Sequence, residues 1–285
     1  MNWEYIKMEL IITTLIENEE DERKCLKNEH GLSLYLEYDG DKILFDTGQT
    51  GNFVDNAAVL GKTLDNLDYV VLGHGHYDHG GGVKRLLPLL GGETKIVLGE
   101  GYFRPKYKRT AQGYSFNGVS FSEEVLSGGG NPVITVHGKM ERLGKRLLVF
   151  RDFTYRTKFE KVNPNMYIKE QESFIPDEFR DEIVLGVETE AGLVVIAGCS
   201  HAGIVNILED IMERSGQRIF AVIGGTHLVE AEDERIRLTA ERLKNMDIQM
   251  LAVSHCTGES ASEKLREVFG GRFIVNNTGN VITVK

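Results

Sequence analysis

Residues 69–82 read YVVLGHGHYDHGGG, an apolar run followed at once by three histidines and an aspartate. The aromatic and β-branched opening predicts a strand. Along an extended backbone alternate residues share a face, so His74 and His76 point the same way, and Asp78 and His79 follow within one turn of chain. Glycines 73, 75, 80, 81 and 82 let the backbone leave the strand and fold tightly around whatever those side chains hold. Four polar groups packed at a strand end are costly unless something satisfies them. A divalent cation does, because imidazole nitrogen and carboxylate oxygen are ordinary zinc donors. The competing reading is a solvated polar turn that meets metal only incidentally.

The rest of the chain bounds what such a site can serve. Hydrophobic residues make up 41% of 285, enough for a buried core. The net charge of −10 argues against a general nucleic-acid or anionic-membrane binder, which would carry a Lys/Arg excess. The N-terminal region has a short apolar run, Leu10 to Ile16, then a dense acidic segment, without the basic start or cleavage site of a signal peptide. No apolar run approaches bilayer length. The expectation is a cytoplasmic chain. Cys25, Cys199 and Cys256 are odd in number and widely spaced, so no disulfide framework is suggested.

Asp39-Gly40-Asp41 predicts a tight turn between the strands LSLYLEY and KILFDTG. The segment NFVDNAAVLGKTL has helical spacing, GGVKRLLPLL reads as a helix, and KIVLGE as a strand. Residues 101–180 read as irregular, with strands near PVITVHG and RLLVFRDF. The hairpin EIVLGVETEAGLVVIAG follows, and then helices and strands alternate, ending in a hairpin over RFIVNNTGNVITV. Strands at both ends with interleaved helices predict two packed sheets with helices outside. Residues 1–285 are read as one domain with an irregular insertion or lid at about 101–180.

HGHYDH resembles the H-x-H-x-D-H signature of the metallo-β-lactamase fold superfamily, and ILFDTG resembles that superfamily's first motif. The resemblance implies an α/β fold, a four-layer αββα sandwich of two mixed β-sheets with helices outside and one or two metals at the sheet ends. It gives Asp46 a place beside the ligands; the alternative is a turn-forming aspartate. It also requires ligands from the second half, where LVVIAGCSHAG ends at Cys199 and His201, FAVIGGTHL at His227 and MLAVSHCTG at His255. His255 is similar to the family's last histidine motif. Cys199 stands where many members carry a bridging aspartate, and reads either as a thiolate ligand or as a small buried residue. His201 reads as a ligand, since otherwise a strand end buries an unpaired imidazole. His227 reads as a ligand or as a residue that orients substrate. His137 matches the family's middle histidine poorly, and His30 reads as surface. GCSHAGI, AVIGGTHL, HCTG and RTKFE narrow the resemblance to dihydropterin–ribofuranosylaminobenzene phosphate synthase-like members, over roughly residues 8–284.

On this reading His74, His76 and His201 hold one ion, most readily zinc, while Asp78, His79 and His255 hold a second. Asp78 and His79 carry catalysis, with Asp78 able to take a proton if it is not tied up as a ligand. The expected activity is that of a hydrolase or transferase using metal-bound hydroxide on a small substrate, phosphorylated or pterin-like. In the loop YFRPKYKR, Arg104, Tyr107, Lys108 and Arg109, with Lys106 between them, suit a ring with a phosphate tail; a solvated surface loop is the alternative. Two other classes compete. One is a binding protein for a small cofactor with one metal or none. The other is a serine hydrolase in which Ser200 is the nucleophile of a strand–Gly-x-Ser-x-Ala–helix turn, with Asp233 and His255 behind it. The expected partner is a small molecule, with no nucleic acid and no membrane.

Overall fold

A computed structural model describes residues 8–20 and 24–285. Residues 1–7, on which the signal-peptide reading partly rests, lie outside the described residues. The chain begins with β1 (Leu10–Ile16), β2 (Ser33–Tyr38) and β3 (Asp41–Phe45), then α1 (Phe53–Val59), β4 (Tyr69–Leu72), the short helices α2 (Tyr77–Gly80) and α3 (Val83–Leu86), and β5 (Lys95–Gly99). Next come β6 (Lys106–Thr110), β7 (Gly113–Phe116), α4 (Glu123–Gly128), β8 (Val133–Val136), β9 (Met140–Leu143), β10 (Leu147–Arg151), β11 (Met166–Glu170) and β12 (Ser173–Pro176). The second half holds β13 (Ile183–Thr189), β14 (Gly192–Ala197), α5 (Ile204–Ser215), β15 (Ile219–Gly224) and α6 (Asp233–Asn245). It closes with β16 (Met250–Val253), α7 (Glu259–Phe269), β17 (Phe273–Val275) and β18 (Val281–Val284).

Two seven-stranded sheets form, in the orders β18-β1-β2-β3-β4-β5-β8 and β17-β16-β15-β14-β13-β10-β9. Their facing sides share one core in which Ile12, Leu34 and Val71 of the first meet Val149, Ile196 and Ile223 of the second. The opposite sides pack on helices: Val195, Val222 and Leu251 lie with α5, α6 and α7, while Val70, Leu72 and Ile96 lie with Phe53 and Leu86. The αββα sandwich is thus the observed architecture. Being covered on both faces is why Tyr69–Leu72 is buried throughout and shows no polar alternation.

Both sheets are mixed, and their parallel strands decide where a site can form. Strands β3, β4 and β5 run parallel, as do β14, β15 and β16. Their C-terminal ends come to one edge, the place where α/β sheets present side chains to ligands.

Three expectations need correction. The closing hairpin does not form: β17 pairs in parallel with β16 in the second sheet, whereas β18 crosses to pair with β1 in the first. The apolar run Leu10–Ile16, given no element from sequence, is a core strand between β18 and β2. Residues 101–180 are not an irregular insertion, since β8 joins the first sheet and β9 and β10 the second. Only β6, β7, β11 and β12 form a separate, four-stranded antiparallel sheet. Short strands joined by Gly- and Asn-containing turns look irregular to a periodicity reading that needs longer runs.

Candidate metal centre

The motif builds itself from two backbone forms. After β4 the chain stays extended through His76, whose φ and ψ are −85° and 151°, and this keeps His74 and His76 on one side. One helical turn, α2, then brings up Asp78 and His79. The glycine between the first two histidines is forced: a Cβ on Gly75 would lie 2.2 Å from the Tyr102 carbonyl oxygen. Asp46, Ser200, His227 and His255, each following a parallel strand, have left-handed φ between 49° and 61°. Strained backbone of this kind collects at sites where side chains must leave a strand in a set direction.

Two clusters of nitrogen and oxygen atoms result. In the first, His74 Nε2 lies 3.0 Å from His76 Nδ1 and 3.2 Å from His201 Nε2. In the second, His79 Nε2 lies 3.2 Å from His255 Nε2, and Asp78 Oδ2 lies 3.4 Å from His255 Nε2 and 3.9 Å from His79 Nε2. Cys199 Sγ stands 3.1 Å from His79 Nε2. All seven residues are buried.

Supporting contacts fix which ring atoms carry hydrogen. His79 Nδ1 donates to Asp46 Oδ2 at 2.6 Å, and the other Asp46 oxygen accepts the Gly73 amide. His255 Nδ1 donates to Asn18 Oδ1 at 2.9 Å. The Nε2 atoms of both rings therefore face each other, an arrangement that calls for one positive charge, a proton or a metal ion, between them. His74 Nδ1 is buried with no hydrogen-bond partner among the described residues. Glu182 accepts the amides of His201 and Ala202 at 2.8 and 3.1 Å, and Phe179 stacks on the His201 ring at 3.9 Å.

Electrostatics agree with the geometry. Burial lowers His74, His76 and His201 well below the usual imidazole value, and lowers His255 to about 4, so these rings are neutral with free lone pairs. Burial acts against charge on His79 too, but the Asp46 and Asp78 carboxylates outweigh it and raise the ring to about 9. Burial pushes Asp78 up, yet the His79 charge and the close approach of the His255 and His30 rings hold it well below the usual carboxylate range. Burial, followed by the neighbouring Cys256, raises the Cys199 thiol. Burial raises Glu182 to about 7. Four neutral imidazoles, His74, His76, His201 and His255, beside two buried carboxylates make a site that attracts cations, and His79 would give up its proton to an ion bound there. A tetrahedral ion with bonds of about 2.0–2.1 Å sets ligand edges of roughly 3.3 Å, which matches these spacings.

A cavity of about 500 Å³ opens onto the cluster. Tyr77, Phe116, Met166 and Val229 give it apolar surface, and Lys108, Ser115, Asn117 and Glu230 give it polar groups. Of the loop residues expected to touch substrate, only Lys108 lines it, with Nζ 2.9 Å from Glu230. Alternation along β6 explains the others. Tyr107 and Arg109 face the opposite side, against Phe174 and over Tyr167 respectively. Arg104 pairs with Glu170 beside a different cavity. Lys106 is buried, ion-paired with Asp177 and Asp181 at 2.7 and 2.8 Å.

The serine-nucleophile reading fails on geometry, because Ser200 is fully buried and its Oγ donates to the Gly225 carbonyl at 2.7 Å. His227 lines the cavity with its ring 4.3 Å from that of His201. His137 sits on an exposed turn facing Glu100. His30, read as surface, is exposed but lies at the cavity, with Nε2 3.1 Å from Asp78 Oδ2. Sequence reasoning also passed over Asn18 and Glu182, since a polar residue beside an acidic loop and a glutamate before a strand look like solvated surface.

Comparisons with known proteins fit this geometry. Residues 27–210 match the family model described as the metallo-beta-lactamase superfamily. The chain is 30% identical over 296 residues to a 7,8-dihydropterin-6-methyl-4-(beta-D-ribofuranosyl)-aminobenzene-5'-phosphate synthase of Methanocaldococcus jannaschii, covering 95% of each protein. The crystal structure of Tm1679, described as a metal-dependent hydrolase of the beta-lactamase superfamily, superposes with a TM-score of 0.83 at 32% identity, covering 96% of this chain and 98% of the other. The metallo-beta-lactamase fold protein YhfI from Bacillus subtilis shares the fold at a TM-score of 0.57 and 11% identity, covering 98% and 100% of the two chains.

Proposed function

Because the chain belongs to the metallo-β-lactamase superfamily, we propose that it is a metal-dependent enzyme, a hydrolase or group transferase acting on a small phosphorylated or pterin-like molecule. The observation that carries this reading is the convergence of neutral imidazoles from both sheets, His74 and His76 from one and His201 from the other, within 3.2 Å of a shared nitrogen. His74, His76 and His201 would hold one divalent ion, zinc above all. Asp78, His79 and His255 would hold a second, with Cys199 as a further donor beside His79. Bound ions of this kind supply Lewis acidity and lower the pKa of water to near neutrality.

The chain's own residues do the rest. Asp46 and Asn18 fix the tautomers of His79 and His255, so each presents Nε2. Asp78, where it is not itself a ligand of the second ion, is the carboxylate positioned to take a proton at the cavity floor. The cavity walls offer an apolar slot for a ring, and Lys108 offers a cation for an anionic tail once it leaves Glu230. The synthase named among the relatives handles a phosphorylated pterin compound, and this motivates both the substrate class and the transferase alternative. A non-enzymatic cofactor binder finds no specific support in the geometry.

The test is elemental analysis of protein purified without chelators, followed by turnover assays on a panel of phosphoesters and pterin phosphates. One to two zinc ions per chain, and activity that chelators abolish and zinc restores, support the proposal. Less than one ion per chain, with turnover unaffected by chelators, overturns it.

A further inference from the structure

Resting on the metal-centre reading above, we propose that His30 is an additional ligand of the second ion, delivered from the connection between β1 and β2. No motif of the superfamily resemblance points to it, and it is an exposed residue in a connection between strands. Its Nε2 nevertheless lies 3.1 Å from Asp78 Oδ2, and its ring centroid is 5.0 Å from that of His255. The donor atoms of His30, Asp78 and His255 all fall within 4.8 Å of one another.

The placement is built in. The Leu32 amide donates to the Asp78 carbonyl at 3.3 Å, and the Gly48 amide donates to Leu32 at 2.9 Å, which ties the loop to the turn after β3. Gly31 has φ +146°, and a Cβ there would sit 2.4 Å from the Asp78 carbonyl oxygen. Glycine alone lets the chain come this close, so His30 arrives beside Asp78. Asn18 Oδ1 accepts both the Gly31 amide, at 3.1 Å, and His255 Nδ1, at 2.9 Å. One amide therefore sets His30's neighbour and the His255 ring in register.

Hydrogen bonding leaves a gap that a cation fills. With its proton on Nδ1, His255 offers only a lone pair towards Asp78 Oδ2 at 3.4 Å, and two acceptors this close repel unless positive charge lies between them. His30 Nε2 brings a third ligand atom beside Asp78 Oδ2 and His255 Nε2. The spacing from His30 to Asp78 matches the roughly 3.3 Å edge of a tetrahedral site with nitrogen and oxygen ligands. Nitrogen and oxygen donors of this kind suit zinc or cobalt(II) better than magnesium.

The experiment loads wild-type protein and the H30Q variant with cobalt(II) alone. It reads two quantities: affinity for each ion by competition with a chelator, and the number of imidazole rings with large contact shifts in the NMR spectrum. Ligation predicts six shifted rings in wild type, those of His30, His74, His76, His79, His201 and His255, and five in H30Q. It also predicts second-ion binding weakened by about tenfold or more in H30Q. Because His30 is exposed, the variant should keep the wild-type circular dichroism spectrum, and an H30A variant repeats the measurement without a side chain that hydrogen-bonds. Five shifted rings in wild type, or equal second-ion affinity in wild type and both variants, overturns His30 ligation while leaving the centre intact. Wild-type protein that takes up no cobalt overturns the centre and His30 with it.

Discussion

Replacing Lys106 with methionine should destabilise the protein far more than the same change two residues on, at Lys108. Lys106 Nζ lies 2.7 Å from Asp177 and 2.8 Å from Asp181, and all three side chains are at most 3% exposed. Asp181 in turn accepts the Gly75 amide at 2.9 Å, between His74 and His76. Methionine keeps the stem's packing but leaves two buried carboxylates with no cation. Breaking a buried pair by removing one partner costs roughly 3–5 kcal/mol. With a denaturant slope of about 3 kcal/mol/M, the urea midpoint should fall by about 1–1.7 M. Lys108 pairs with Glu230 where both are more than two-fifths exposed, so Lys108→Met should cost no more than ~1 kcal/mol. Urea titrations of both variants, followed by circular dichroism, give the comparison. Adding Asp177→Asn and Asp181→Asn to the Lys106 variant should recover much of the loss, because the stranded charges go with them. A K106M midpoint within 0.3 M of wild type, or a triple variant no better than the single, would refute the reasoning.

Three further outcomes follow from particular contacts. Gly75→Ala should cost on the order of 1–3 kcal/mol and weaken metal uptake, since its new Cβ meets the Tyr102 carbonyl at 2.2 Å; thermal melts and metal analysis of the variant check it. His227→Gln should keep the wild-type metal content but change turnover, because its ring lines the cavity outside the ligand clusters; unchanged kinetics would remove His227 from the site. Glu160, whose two oxygens accept the amides of Val205 and Asn206 at the start of α5, is raised above its unfolded value of 4.5, chiefly by burial. In the window above that value the folded state holds more protons than the unfolded state, so this group's share of stability falls as pH rises, and levels off above the folded value. Glu160→Gln should flatten that segment of the stability–pH curve and cost ~1 kcal/mol of capping, measured by urea unfolding from pH 4 to 8.

Much of the architecture was legible locally. Turn chemistry at Asp39-Gly40 marked one strand pair, and apolar runs ending in His74, Cys199, His227 and His255 marked the edge where chemistry would sit. The part that failed, residues 101–180 and the last strand pair, depends on which sheet a short strand joins. No four-residue pattern encodes that choice, because β8 and β9, adjacent in sequence, go to different sheets according to the strands they pair with, β5 and β10.

The sequence alone determined the donor chemistry, since histidine spacing and glycine content around residues 74–82 are local properties of a strand end. Tertiary structure decided which donors share a point, which face of β6 meets the cavity and why Lys106 is buried while Lys108 is not. It also turned His30 from a loop residue into a neighbour of Asp78. Such facts arise when two sheets bring the C-terminal ends of distant strands to one edge, and the distances between side chains there are set by packing that no single segment contains.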